Sequence, residues 1–352
     1  MAVPEKKVAP EAFLEGARQT GALLLDVRSP SEYADGHIPG ARSFPLFDDA
    51  ERAEIGTLYK QVGRESAVER GLELIGPRMA RLVREAKALF AESPDRRPIH
   101  VYCWRGGMRS GSLGWLLRTA GLPVFLLEGG YKAYKQTLPE TMGQPLPLLR
   151  VGGYTGSAKT DVLAELARGG EQVVDLEGMA RHFGSAFGNL NRHPQPTSEH
   201  FRNLLEAALS GLDSTRRIWV ENESRRIGNV HLPEPFYQRM IACPALEMLR
   251  GEDDRVDHLV EMYGAYDIQL LGKGFEAIRA ELGGQETEEA LVALDQEDLA
   301  KAARIALAYY DRTYEHALQK RAGDRRYPVD CCGVALSECA SRLIAEAEAR
   351  GF

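Results

Sequence analysis

The chain has 352 residues, 44% hydrophobic and 27% charged, with a net charge of −7. That length suits two domains with cores of their own. The charge disfavours a non-specific nucleic-acid binder, whose affinity comes from Lys and Arg on phosphates, and no apolar run nears the roughly 20 residues of a membrane span.

The first segment alternates short apolar runs with amphipathic ones. ALLLDV (22–27), a charged stretch from 50 to 92, PIHVYC (98–103), SLGWLLRTAG (112–121) and PVFLLEGG (123–130) read as strand, helix, strand, helix, strand. Such alternation predicts a parallel sheet with helices on both faces and ligands at the carboxyl ends of the strands, where Asp26, Cys103 and Glu128 fall. TLPETMGQPLP (137–147) carries three prolines and a glycine, which oppose helix and central strand alike. The expected division is therefore a first domain over 12–138, a linker over 139–147 and a second domain over 148–352.

The second domain opens with LLRVGGYTGSAKTDVLAELA, a strand, a glycine-rich turn and an amphipathic helix. EQVVDLEG and RRIWVENES predict two more strands, and from about residue 245 the period is mainly helical. The fold class expected is α/β: an N-terminal parallel-sheet domain, then a P-loop NTPase-like α/β domain with a helical C-terminal part.

In PIHVYCWRGGMRSGSLGWLL the cysteine follows a strand, with a helix expected to start near Arg109 or Ser110. Trp104, Arg105, Gly106, Gly107 and Met108 must then form a tight loop, with the two glycines supplying backbone freedom. Inward-facing amides and the positive end of the helix favour an anion above the sulfur and make Cys103 a nucleophile, with Arg109 as a second anion-binding group. The spacing C-x5-R belongs both to cysteine phosphatases, where thiolate attacks phosphorus, and to some sulfurtransferases, where it accepts a chalcogen; the loop alone leaves both open. Trp104 is expected either to stack on a base or to pack under the loop.

GGYTGSAKT fits the phosphate loop G-x-x-x-x-G-K-[ST] except at Ala158, where the pattern asks for glycine. Gly153, Thr155, Gly156 and Ser157 are expected to offer backbone to phosphate, with Lys159 bridging its oxygens and Thr160 placed for magnesium. Asp175, Glu177, Glu221 and Glu223 are the candidate acidic partners, with ordinary strand-end carboxylates as the competing reading. Arg250 and Arg255 lie in a run, MLRGEDDRVDHLVEMYG, that reads either as a lid over phosphates or as a solvated helix.

Five cysteines without paired spacing argue against a disulfide framework, and Cys243, Cys331, Cys332 and Cys339 are expected as buried thiols. The basic pairs Arg96-Arg97, Arg216-Arg217, Arg225-Arg226 and Arg325-Arg326 are expected as a basic patch or as solvated surface. The start, MAVPEKKVAPEAF, has no apolar stretch of the secretory kind, so the expected compartment is the cytoplasm.

LLDVRSPSEYADGHIPGA (24–41) and VFLLEGGYKAY (124–134), flanking the cysteine loop, resemble the rhodanese domain. In that resemblance Asp26 and Arg28 tie down the first strand's loop, His37 makes a structural hydrogen bond, and Glu128-Gly129-Gly130 forms a floor beneath the cysteine. A rhodanese domain followed by a P-loop domain, together with DLEGMARHFGSAFG (175–188), PTSEHFRNLLEAAL, VENESRRIGNVHLPEPFYQRM (220–240) and YYDRTYEHAL (309–318), is similar to the tRNA 2-selenouridine synthase family. The resemblance implies a transferase that acts on wobble 2-thiouridine in tRNA and exchanges sulfur for selenium. Its co-substrates would be selenophosphate and geranyl diphosphate, with magnesium and an enzyme supplying selenophosphate as further candidates. In this reading Cys103 carries selenium as a perselenide, Arg109 and the loop amides hold the anion, and Lys159 and Thr160 hold the diphosphate. The competing reading is a sulfurtransferase or cysteine phosphatase fused to a nucleotide-dependent kinase-like domain.

Overall fold

The structure is a computed structural model that describes residues 6–92, 98–182, 187, 194–320 and 324–352. It divides into two units, Met1–Thr141 and Met142–Phe352. Among the described residues no helix is long and apolar enough to cross a membrane.

The first unit is built on five strands: β1 (Lys6–Val8), β2 (Leu23–Asp26), β3 (Arg42–Ser43), β4 (Ile99–Tyr102) and β5 (Val124–Leu127). They lie parallel in the order β1-β5-β4-β2-β3. β2 and β4 are buried at every position, as strands covered on both faces must be. The edge strand β1 lies ahead of the expected domain start at residue 12. The charged stretch 50–92 is three α-helices, Asp49–Gln61, Arg64–Ile75 and Met79–Glu92, rather than one.

The boundary between the units falls inside the expected linker 139–147, but the expectation that its prolines oppose helix is corrected in its first half. A helix runs Gly130–Gly143 straight through Pro139, which removes one intrahelical hydrogen bond. Tyr131, Tyr134, Leu138 and Met142 are all buried, and their spacing of three and four keeps one face of a 3.6-residue helix apolar; that burial outweighs the lost bond.

The second unit has β6 (Leu148–Gly153), β7 (Gln172–Val174), β8 (Ile218–Glu221), β9 (Arg226–Ile227), β10 (Val230–His231), β11 (Ala245–Leu249) and β12 (Arg326–Asp330). Five form a parallel sheet in the order β12-β11-β6-β8-β7, and β9 and β10 form a small antiparallel pair. The expectation of helix from residue 245 onward misses β11 and β12. Arg150, fully buried on β6, donates to Asn222 Oδ1 (2.8 Å), to the Cys243 carbonyl (2.6 Å) and to Asp324. One guanidinium thus ties β6 to the end of β8 and to the approaches of β11 and β12.

The turn from β5 into the helix Gly130–Gly143 passes directly beneath the cysteine loop. The Tyr131 and Lys132 amides donate to the Cys103 and Trp104 carbonyls at 2.8 and 2.9 Å. Gly130 has φ +63°, and a Cβ there would stand 2.3 Å from the Cys103 carbonyl oxygen and 2.4 Å from the Gly106 nitrogen. Gly130→Ala adds a left-handed-backbone penalty to a backbone clash, and is expected to destabilise this unit by roughly 2–4 kcal/mol. Urea unfolding followed by tryptophan emission checks it; an unchanged transition would mean that the loop does not rest on this floor.

Candidate functional site

Cys103 directly follows β4 and is 3% exposed. Gly107 caps the next helix, which begins at Met108, one residue earlier than expected. Gly106 takes φ +62°, and a Cβ there would meet the Leu127 carbonyl at 2.6 Å. Backbone therefore pins the loop over Trp104, Arg105, Gly106, Gly107 and Met108 from below at Gly106. The Cys103 Sγ lies 3.2 Å from the buried Ser110 hydroxyl, a partner not singled out from sequence although Ser110 directly follows Arg109. Trp104 is partly buried, its ring 5.8 Å from that of Tyr131, so it packs beside the loop. Arg105 and Met108 are exposed.

The residues flanking the loop hold the frame. Arg28 grips Asp26 through Nε (3.0 Å) and Nη2 (2.6 Å), donates to the Gly36 carbonyl (2.6 Å) and lies 3.9 Å over the Tyr131 ring. His37 bonds the Tyr33 carbonyl at 2.9 Å and stacks on the Tyr33 ring.

Arg109 differs from expectation. Its guanidinium forms a two-pronged pair with Glu32 (2.5 and 3.2 Å), and Arg52 approaches the same carboxylate at 3.7 Å. Burial alone would raise the Glu32 carboxyl, but the Arg109 hydrogen bonds and charge hold it below the usual carboxylate range. An anion above Cys103 must therefore compete with Glu32 for Arg109. Glu32→Gln is expected to tighten phosphate or thiophosphate binding to this loop severalfold, because the competitor loses its charge. Weaker binding, by titration calorimetry, would instead make Glu32 the residue that aims Arg109.

In the second unit the phosphate loop joins β6 to the helix Lys159–Arg168. Gly153 has φ +148° and Gly156 φ +78°. The Ser157 hydroxyl donates to the Tyr154 carbonyl (2.7 Å), and Lys159 folds over the loop with Nζ 3.1 Å from the Gly153 carbonyl. Ala158, the N-cap, takes φ +59°, ψ +38°. The position where the phosphate-loop pattern asks for glycine is thus left-handed, which costs a residue with a Cβ about 1 kcal/mol. Ala158→Gly is expected to leave stability within about 1 kcal/mol of wild type, since relief of strain is offset by chain entropy, and to tighten diphosphate binding. Thermal melting and calorimetry check it; weaker binding would show that the methyl does not crowd the cradle.

Both carboxylate pairs lie beside this loop, at the ends of β7 and β8. Thr160 Oγ1 donates to Glu177 (2.9 Å) and Glu221 (3.4 Å), and Glu221 also accepts the backbone amides of Leu176 (2.7 Å) and Glu177 (3.2 Å). Asp175 caps a short helix by accepting the Gly178 amide at 2.7 Å. Burial, then the charges of Glu177, Asp175 and Glu223, pushes the Glu221 carboxyl well above the carboxylate range. Burial and Glu177 push Glu223 up to about 8, against the opposing pull of Lys159. Burial likewise raises Glu177, with Lys159 and Thr160 pulling the other way. Among the described residues no group of three or more His, Cys, Asp or Glu is placed to hold a metal ion; the oxygens here are engaged with Thr160 and the backbone.

Glu223 titrates near 4.3 in an unfolded chain and near 8 in the folded one. The folded state holds the extra proton between those values, so its contribution is lost as pH rises from about 4 through about 8. Glu223→Gln should flatten the fall in melting temperature over that range. An unchanged slope would place the titration elsewhere.

Residues missed from sequence brace the loop. Tyr314 accepts the Gly153 amide (3.2 Å) and donates to Glu247 (2.7 Å); it lies 161 positions from the loop, beyond the reach of any local pattern. Arg255 is not a free lid arginine: it is buried and paired with Asp311 at 2.9 Å, beneath Gly156. Cys331 and Cys339 are buried, but Cys332 is exposed and Cys243 half-buried, which corrects the expected burial of all four. Of the described basic pairs, Arg217 pairs with Glu171 and Arg225 with Glu234, while Arg216, Arg226, Arg325 and Arg326 each donate to nearby carbonyls and keep their charge. Arg96-Arg97 and most of 183–193 lie outside the described residues.

A glycine-rich cysteine loop on a rhodanese-like sheet, followed in one chain by a P-loop-like turn on a second parallel sheet, defines a two-domain protein of rhodanese and P-loop type. The rhodanese-like domain family matches residues 9–137, and the family of tRNA 2-selenouridine synthase AAA domains matches 146–330. Proteins named tRNA 2-selenouridine synthase align along most of the chain. That of Shewanella pealeana is 34% identical over 85% of this chain and 89% of its own length. That of Shewanella halifaxensis is 35% identical over 85% and 89%, and that of Salmonella schwarzengrund 35% over 86% and 91%. The chain belongs to the tRNA 2-selenouridine synthase family.

Proposed function

We propose that this protein is a transferase that converts wobble 2-thiouridine in tRNA to 2-selenouridine, by alkylating the sulfur and then replacing it with selenium. The observation that carries this reading is that one chain of this family holds both a nucleophile under an anion loop and a separate phosphate loop with Lys159 and Thr160 beside it. A cysteine phosphatase has no use for the second of these, and an NTP-driven switch has no use for the first.

In the alkylation, the thiocarbonyl sulfur attacks C1 of geranyl diphosphate. A C–S bond forms, a C–O bond breaks, and the base loses its N3 proton. Diphosphate leaves onto Lys159, Thr160 and the loop amides, which stabilise the charge that builds on its oxygens. A magnesium ion accompanying it would take its ligands mainly from phosphate oxygens and water, with Thr160 as protein donor; no step depends on it. The alkylated sulfur is a better leaving group than sulfide, and the ring carbon is more electrophilic.

In the selenation, the Cys103 sulfur attacks the selenium of selenophosphate. An S–Se bond forms and the Se–P bond breaks, its electron pair staying on phosphorus, which departs as phosphite. The perselenide then attacks C2, geranyl thiol leaves, and two external thiols reduce the remaining S–Se bond, ending as a disulfide while Cys103 is regenerated. Ser110 lies 3.2 Å from the sulfur, where its hydroxyl can donate to the thiolate.

Thiolated tRNA, geranyl diphosphate and selenophosphate are incubated with variants, and the wobble nucleoside is followed by mass spectrometry. Lys159→Ala is expected to slow geranylation by about 100-fold, the scale of losing one charge-stabilising donor, and Cys103→Ala to accumulate the S-geranyl nucleoside. Phosphorus NMR should show phosphite. Release of phosphate with no thiol consumed would mean that selenium moves as selenide, and would remove the carrier role of Cys103.

A further inference from the structure

Cys103 is 3% exposed, so a base brought to its sulfur must approach closely, and the nucleotides flanking that base must rest on whatever adjoins the cysteine loop. The helix Met108–Thr119 is one such neighbour. Met108 and Trp115 stand seven positions apart on one of its faces, about 10 Å along the axis, and both are exposed, Trp115 by 57%. Tryptophan is buried on average; this one is not covered by its own fold. Arg64, which opens the helix Arg64–Ile75, reaches toward Met108 with Nη2 4.0 Å from the sulfur.

Two glycines of the helix Met108–Thr119 contrast. Gly114 is explained by packing, since a Cβ there would stand 2.8 Å from Leu126 Cδ2. Gly111 lies between Met108 and Trp115 on their face, and a Cβ there would meet nothing within 4 Å. Glycine weakens a helix interior, and no contact of the fold calls for it here; its bare backbone leaves room for a partner between the methionine and the tryptophan. The loop is also flanked by cations. Arg64, Arg105 and Lys132 are exposed and, among the described residues, none of them forms an ion pair, while Glu32 is engaged by Arg109 and Arg52. The Lys132 amide donates to the Trp104 carbonyl at 2.9 Å, which sets this lysine at the loop's edge. Exposed Glu65 and Glu128 share these segments, so the excess of positive charge is modest and stacking has to supply much of any affinity for RNA.

We propose that this face, Trp115 with Gly111 and Met108 flanked by Arg64, Arg105 and Lys132, binds the anticodon loop of the tRNA beside the wobble base, with a neighbouring base stacked on Trp115 and loop phosphates on the three cations. This rests on the reading that the protein acts on wobble 2-thiouridine in tRNA. An exposed apolar face alone would suit a protein partner. Free cations around an exposed aromatic ring, next to a nucleophile that has to meet a base, favour single-stranded RNA, whose bases stack and whose phosphates take up charge.

Binding of a fluorescein-labelled anticodon stem-loop carrying wobble 2-thiouridine to the full chain is followed by anisotropy over a range of salt. Trp115→Ala is expected to weaken binding about tenfold, the scale of one lost stacking platform, and Trp115→Phe to restore it to within about threefold of wild type. Replacing Arg64, Arg105 and Lys132 together by alanine should lower the slope of log affinity against log salt by about 2, at about 0.7 per single-strand phosphate. Gly111→Leu should weaken binding about tenfold while melting no lower than wild type, because leucine favours helix and meets nothing in the fold; this separates a blocked face from a damaged one. If Trp115→Ala and Gly111→Leu bind the stem-loop as wild type does, or the triple variant keeps the wild-type salt slope, the assignment is overturned, whether or not the face captures a protein. A wild type that fails to bind the stem-loop at all overturns the functional reading itself, and the assignment of this face with it.

Discussion

A strand that ends under a tight loop and then feeds a helix leaves backbone N–H groups converging on one spot, and each unit is organised around that constraint. In the first unit the loop keeps its shape because backbone rests on backbone: Gly106 against the Leu127 carbonyl, Gly130 against the Cys103 carbonyl. Side chains are excluded from that contact, so the cysteine is positioned by main chain and the surrounding pairs, Arg28 with Asp26 and Arg109 with Glu32, have only to hold the frame. In the second unit Gly153 and Gly156 do the same for the phosphate loop, and Ala158 performs a glycine's task at some strain.

Charge is arranged differently at the two places. Around the cysteine, Arg109 has a carboxylate of its own, so binding an anion is an exchange of partners rather than the filling of a vacant cation. Around the phosphate loop, Lys159 stands against several carboxyls that burial and mutual repulsion push toward their protonated forms. A protonated Glu223 would neither repel a diphosphate nor compete fully for the lysine, so the acidic cluster is compatible with the proposed diphosphate site.

Much of this was legible from the chain. The cysteine loop and phosphate loop are local, since glycines that must take φ above zero and a lysine that must reach over its own loop leave a contiguous trace. What depends on distant pairing left none. β11, with the sequence ALEML, is made of residues that favour helix and is a strand because β6 and β12 flank it. β12 carries Pro328, tolerated because it lies on the sheet edge. Pro139 pointed to a break that the buried face of its helix overrides. Glu32 and Tyr314 come to their sites from 77 and 161 positions away, and only the folded chain joins them.

The proposed function divides the labour: the phosphate loop would prepare the sulfur and the cysteine loop would supply the selenium. The most direct test supplies Lys159→Ala with tRNA whose wobble thiouridine already carries the S-geranyl group, together with selenophosphate and no geranyl diphosphate. The expected result is 2-selenouridine formed at close to the wild-type rate, read by mass spectrometry. A Lys159→Ala protein that selenates this substrate no better than unalkylated thiouridine would contradict it.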